Sequence, residues 1–372
     1  MGSRRYWPEV LNRVFVALQN YGFGLQRSIP GLDGLRAVSI LLVMGSHMTS
    51  TRPFPLALRN NPVGNFGVLV FFVISGFLIT SVLLKEMTRT GTISLPQFYL
   101  RRALRLFPAC YVLIGVAAAL AHWRLVDLNR GDLTAALTYT MNFHPTRAWT
   151  LGHLWTLAVE EQFYLLWPWA LAALGSRRAI PWLVGMLAAA PLLRLAAPHA
   201  GVTLNFFIAS DCLATGCLLA LCRDRLAANR VYSRILASRW FWLIPFTALF
   251  VYFIPSVELV WLAGIPFMNF AIAGTLDWSM RNTDGKVGRF LNWPAMRFLG
   301  VLSYSLYLWQ QIFFNPNSNS PFCAFPLNLI ATCLAALASY LLIECPFLRW
   351  RARWRVTKDL QPPAATQGSF AG

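Results

Sequence analysis

Long apolar runs recur along the chain from Leu35 to Ile343, separated by short polar stretches rich in arginine, glycine and proline. A run of about 20 apolar residues matches the hydrocarbon thickness of a bilayer when it is helical. The runs predict ten helices, over 35–51, 64–84, 106–123, 153–174, 180–197, 204–222, 240–255, 257–276, 295–314 and 324–343, with the seventh and eighth divided at Pro255 and Ser256. The expected fold class is therefore an all-α polytopic membrane protein with about ten transmembrane helices.

Ionisable residues inside such runs are costly and usually face a partner or a cavity. In the first run, GLDGLRAVSILLVMGSHM, Arg36 and His47 stand with ten residues between them. At about 100° per residue their side chains fall within about 20° of each other, about 16 Å apart along the helix axis. Asp33 falls within about 40° of the same line. One face thus carries an acid, an arginine and, deeper, a histidine. It is a candidate site, the structural alternative being an interfacial Asp33 and Arg36 with His47 satisfied in the core.

Arg101, Arg102 and Arg105 cluster in FYLRRALRLFPACY at the start of the third helix, with Arg102 and Arg105 on one face. Each guanidinium fork binds two oxygens, so such a cluster suits phosphate. It serves equally well as a plain topology determinant. Glu160 and Glu161 lie in GHLWTLAVEEQFYLLWPW. Adjacent carboxylates on a helix diverge by about 100°, so at least one faces the bundle interior, as a catalytic group or in an ion pair. Arg194 and Asp211 sit near the same ends of neighbouring antiparallel helices and are expected to pair structurally. Glu344, in YLLIECPFLRW, is placed to answer one of the arginines.

Composition agrees with this pattern: of 372 residues, 57% are hydrophobic and only 12% charged. Of the 32 Lys and Arg, 25 fall on the side of the termini and 5 on the other when loops alternate across the membrane. The positive-inside rule then places both termini in the cytoplasm. The net charge of +18 resides largely in juxtamembrane loops, so no nucleic-acid partner is implied. Seven cysteines without a CxxC pair imply neither a metal site nor a disulfide framework. Met1 to Gln26 lack the unbroken apolar core of a cleaved leader, and the residues from Gln361 read as disordered. The expected organisation is a cytoplasmic segment (1–28), a membrane domain (29–346) and a basic, then disordered, cytoplasmic tail (347–372). On these features alone, a transporter moving an anionic or sugar substrate through the polar seam is the simplest reading.

The ordered segments change that reading. GLDGLRAVSILLVMGSHM, GVLVFFVISGFLIT, RRALRLFP, LWTLAVEEQFYLLWPW, DCLATGCLLA, LSYSLYLW and IECPF follow one another from about Ile29 to Pro346. Each is short, but in this order they resemble the acyltransferase-3 family of polytopic membrane acyltransferases, which includes O-acetylases of bacterial surface polysaccharides. The resemblance implies an enzyme of the bacterial inner membrane with no bound cofactor. It would move an acyl group, most simply acetyl from acetyl-CoA as co-substrate, to a hydroxyl of a carbohydrate or glycosylated acceptor.

Carried over residue by residue, the family's arginine–ten residues–histidine signature falls on Arg36 and His47. Its paired arginines fall on Arg102 and Arg105, and its two glutamates on Glu160 and Glu344. Arg101, Arg102 and Arg105 would hold the donor phosphates. Asp33 or Glu160 would orient the His47 ring, with Glu161, Arg194 and Asp211 structural. Direct transfer and an acyl-histidine relay both remain open. Where many relatives read YLWH, this chain has Gln310 and Gln311 after Trp309, so no second acid–base histidine is expected there. With 28 residues after Glu344, the hydrolase-like domain that some relatives append is not expected either. The longest outer loop, about 124–152, offers Asp127, Asp132, His144 and Trp149 as sugar contacts.

Overall fold

A computed structural model describes residues 29–54, 61–200 and 205–350 of the chain. The terminal segment 1–28, the tail beyond Trp350 and Arg59 lie outside the described residues. Within them every regular element is helical. The principal helices are α1 (Leu32–Thr49), α2 (Val63–Thr90), α3 (Leu95–His122), α4 (Leu154–Ala200), α5 (Asn205–Ala228), α6 (Arg230–Ala237), α7 (Leu243–Phe250), α8 (Ile265–Arg281), α9 (Pro294–Phe313) and α10 (Leu327–Ser339).

Prolines shape several of these helices. Pro96 and Pro294 occupy the first turns of α3 and α9, where their missing N–H is not needed. Two π turns, Val260–Gly264 leading into α8 and Tyr340–Glu344 continuing α10, each stand just ahead of a proline, Pro266 and Pro346. A proline ring clashes with the carbonyl four residues back, and the wider π turn relieves that clash. The second π turn also carries Glu344.

Among the described residues, five helical stretches are long and apolar enough to cross a membrane: Val63–Thr90, Leu95–His122, Trp149–Ala196, Val257–Arg281 and Leu327–Trp350. Arg230–Ala237 and Arg239–Phe253, bent by 74°, make a sixth if they form one span. The ten apolar runs read from the sequence are all helical, but they do not all qualify as spans. The fourth and fifth runs join in α4, which is interrupted at Gly175 (φ 68°, ψ 166°). α1 and α9 fall short because polar residues stud the faces that other helices cover: Asp33, Arg36 and His47 on α1, and Ser303, Ser305, Gln310 and Gln311 on α9. A helix wrapped by protein needs less apolar surface than one wrapped by lipid.

α1 packs between α2 and α9, α2 packs on α5, and α5 on α4. On the other flank α9 packs on α10, and α3 lies against α9 and the Tyr340–Glu344 turn. Two crossings are close: a Cβ on Gly216 would strike the Val73 carbonyl where α2 meets α5, and one on Gly300 the Asp33 carbonyl where α9 meets α1. Outward, Leu165, Trp169, Leu192, Phe246, Leu334 and Leu342 are all more than half exposed. In water such a surface would be anomalous, whereas against lipid it is the expected exterior.

Candidate functional site

α1 carries the two residues singled out by spacing, and the structure assigns them to different cavities. Arg36 lines a cavity of about 280 Å³ near the start of α1, together with Arg101, Arg102, Arg105 and Glu160. His47 lines a second cavity, also of about 280 Å³, near the other end, with Asn65, Arg147, Trp149, His153 and Gln311. His47 sits in the last turn of α1, further along the helix than a mid-membrane position.

The arginine cavity is an ion-pair network. Arg101 meets Glu86 at 3.0 Å and Arg102 meets Glu161 at 3.0 Å. The Arg102 guanidinium also lies 3.2 Å from the centroid of the Tyr164 ring. Arg36 stands 4.0 Å from Asp33, the looser contact of the three. Glu160 accepts a hydrogen bond from Ser75. Glu344 accepts one from Ser305 and lies within electrostatic reach of both Arg36 and Arg105. Carboxylates from α1, α2, α4 and the Tyr340–Glu344 turn face these guanidiniums. Desolvated arginines require such partners.

The expected ring-orienting acids are corrected. Asp33 sits beside Arg36, and Glu160 lines the arginine cavity. The group that holds His47 is Gln310, fully buried on α9, whose Oε1 lies 3.2 Å from His47 Nδ1. An amide oxygen only accepts, so Nδ1 carries the proton and donates, leaving Nε2 as the basic nitrogen of a neutral ring. Trp149 braces the ring edge-on at 5.4 Å.

A second histidine is present, drawn from α4 rather than from α9. His153 Nδ1 lies 2.9 Å from Gln311 Oε1 and Nε2 lies 3.1 Å from the Leu308 carbonyl. The His153 backbone N–H donates to the same Gln311 oxygen at 3.2 Å. Both ring nitrogens are therefore occupied, which fits an anchor better than a base. The two glutamines that depart from the family pattern are thus the residues that grip the two histidines. His153 was visible in GHLWTL, but nothing local marks it; the contact to Gln311 joins residues 158 positions apart.

The remaining predicted residues are placed as follows. Arg194 and Asp211 form their ion pair at 2.6 Å, away from both cavities, with Asn269 donating to Asp211 at 3.0 Å. In the loop over about 124–152 Asp132 is fully buried; it accepts from the backbone N–H of Asn129 and of Ala148 and pairs with His144 at 3.0 Å. Asp132 and His144 thus shape the loop rather than offering sugar contacts, while Trp149 and Arg147 reach the histidine cavity. Among the described residues, no three of His, Cys, Asp and Glu gather to hold a metal.

Comparison with known proteins points the same way as this geometry. A family model described as an acyltransferase domain matches residues 29–345. A Bacillus subtilis protein provisionally named a peptidoglycan O-acetyltransferase is 32% identical over 357 residues, covering 86% of this chain and 55% of its own length. The Staphylococcus aureus protein named O-acetyltransferase OatA is 29% identical over 353 residues, covering 86% of this chain and 57% of its own length. The chain therefore spans little more than half the length of these relatives. No solved structure matches it.

Proposed function

The chain belongs to the acyltransferase-3 family, and on that premise we propose that it transfers an acetyl group from acetyl-CoA to a hydroxyl of a peptidoglycan-type glycan. One observation carries the reading. A single helix presents an arginine to one cavity and a tautomer-fixed histidine to another, and the two cavities adjoin. An anionic donor suits the first and a hydroxyl acceptor the second. Transport explains the polar seam but gives no reason for a histidine held with Nε2 basic.

In this reading the arginine cavity opens to the cytoplasm, both termini lie on that side, and the membrane domain crosses the bilayer about ten times. The density of Lys and Arg in the loops at that end supports the orientation. Arg101, Arg102 and Arg105, which line this cavity together with Arg36, take the donor phosphates. The thioester reaches towards His47. Nε2 takes the proton of the acceptor hydroxyl as its oxygen attacks the thioester carbon. The carbon–sulfur bond breaks, and the imidazolium returns the proton to the departing thiolate. The acceptor is a sugar hydroxyl, consistent with the names of the relatives and with Trp149 and Trp155 beside His47.

The test uses inverted membrane vesicles holding matched amounts of the full chain, His47→Ala and Arg105→Ala, supplied with acetyl-labelled acetyl-CoA and glycan acceptor. The wild type should place label in an alkali-labile ester and His47→Ala should not. Arg105→Ala should lose activity that higher donor concentration restores. If all three match empty membranes, the acyltransferase reading fails.

A further inference from the structure

We propose that Tyr307, together with Val68, forms the partition between the donor and acceptor cavities and so sets the length of acyl group the protein transfers. This rests on the acyl-transfer reading above and deepens it. The two cavities share Val68 and Tyr307 and no other lining residue. Val68 comes from α2 and Tyr307 from α9, the two helices that flank α1. A path along α1 from Arg36 to His47 therefore passes between these two side chains.

The Tyr307 ring is fixed at its tip as well as its base. Its hydroxyl donates to the His153 carbonyl at 3.0 Å and lies 2.7 Å from Thr156 Oγ1. His153 stands at the break between the short helix Trp149–Gly152 and α4, with Gln311 holding its ring. The phenol is thus moored to the acceptor side of the molecule while its flank closes the donor side. On the donor side Phe71 meets the ring edge-on at 6.4 Å.

Such a partition has two chemical consequences. A two-carbon acyl group passes the gap with little displacement of the ring, whereas each added methylene must be fitted against a side chain held by hydrogen bonds. An apolar pocket resists an extra methylene by about 10- to 200-fold. The partition also keeps water of the acceptor side from the thioester carbon. Without it, water attacks that carbon, the carbon–sulfur bond breaks, and free carboxylate and CoA thiol appear with no acceptor present.

The experiment uses the purified full chain in lipid vesicles with acetyl-CoA, butyryl-CoA and hexanoyl-CoA. It reads ester formed with acceptor and thiol released without it. Tyr307→Ala removes the ring, Tyr307→Phe removes only its mooring, and Val68→Ala widens the gap from the opposite wall. The hexanoyl-to-acetyl ratio should rise about tenfold or more in Tyr307→Ala, with smaller increases in Val68→Ala and Tyr307→Phe, following the methylene discrimination of a close-fitting pocket. Acceptor-independent thiol release should rise in parallel. Should Tyr307→Ala not fold, Val68→Ala carries the same readout. Acetyl transfer that persists with an unchanged chain-length ratio and no added thiol release, in whichever of these variants fold, overturns the partition alone. A wild type that forms no ester from acetyl-CoA with acceptor present overturns the acyl-transfer reading beneath it.

Discussion

Gln310→Leu tests the claim that one buried amide decides which nitrogen of His47 is basic. In the wild type, His47 Nδ1–H donates to Gln310 Oε1 across 3.2 Å, towards the long end for such a bond. A bond of this kind contributes about 0.5–1.5 kcal/mol net. At about 1.4 kcal/mol per factor of ten, its loss lowers the population of the productive tautomer by about 2- to 12-fold. The transfer rate should fall by the same factor. Stability should fall by no more than about the same 0.5–1.5 kcal/mol, because leucine is close to glutamine in volume and Gln310 Nε2 has no hydrogen-bond partner among the described residues. Gln310→Glu keeps an acceptor at the same position, and a charge-assisted bond is roughly twice as strong. That variant should therefore retain at least wild-type ring orientation. The assay is the initial rate of labelled acetyl transfer in vesicles, with melting in detergent as the folding control. A Gln310→Leu rate within experimental error of wild type refutes the assignment, as does a Gln310→Glu variant that folds but falls as far as Gln310→Leu.

Two further substitutions address what holds the bundle around the site. Arg194→Met leaves Asp211, only 1% exposed, with hydrogen bonds from Asn269 and the Cys212 thiol, and breaking a buried pair costs about 3–5 kcal/mol. Melting in detergent should drop accordingly and recover largely in the Arg194→Met/Asp211→Leu double variant; an unchanged single variant would show that the pair contributes nothing. Gly216→Ala sets a Cβ against the Val73 carbonyl and the Phe77 amide at the α2–α5 crossing, an overpacking of about 1–3 kcal/mol. Gly185→Ala, with nothing within 4 Å of its Cβ, should instead be neutral or stabilising by up to about 1 kcal/mol, and equal effects at both positions would contradict the close crossing.

The sequence exposes what is local. The apolar runs mark helices because a residue's cost in lipid depends mainly on its own chemistry. Arg36 and His47 can be aligned because one helix fixes their angle whatever surrounds it. Arg194 and Asp211 can be paired because few residues separate their apolar runs. Counting membrane crossings was less secure, since a protein-covered helix such as α9 tolerates Ser303, Ser305, Gln310 and Gln311 and loses the apolarity by which spans are recognised. The arginine segment is a similar case. Arg101 and Arg102 read as a cationic cluster in one short segment, but Glu86 and Glu161 arrive from α2 and α4 to meet them.

What could not be read was the division of labour along α1. Spacing put Arg36 and His47 on one face and suggested one site, with Asp33 or Glu160 at the histidine. Nothing in a single helix reveals that side chains from α2 and α9 cross that face between the two residues. The Gln310 contact to His47 spans 263 positions of sequence, and Val68 and Tyr307 are ordinary members of apolar motifs until the fold sets them opposite each other. The departure from YLWH shows the same limit. Read as a missing histidine, it removed a candidate base. In the folded chain, Gln310 and Gln311 supply acceptors to two histidines from other helices, so the substitution changes how the chemistry is held without removing it. An acyltransferase built this way depends on α9 for three separate things: the tautomer of His47 through Gln310, the mooring of His153 through Gln311, and the partition through Tyr307. All three lie on faces of α9 turned towards the protein. A rotation of α9 about its axis would disturb all three together, so substitutions that loosen its packing on α1 should impair transfer more than their cost in stability alone explains.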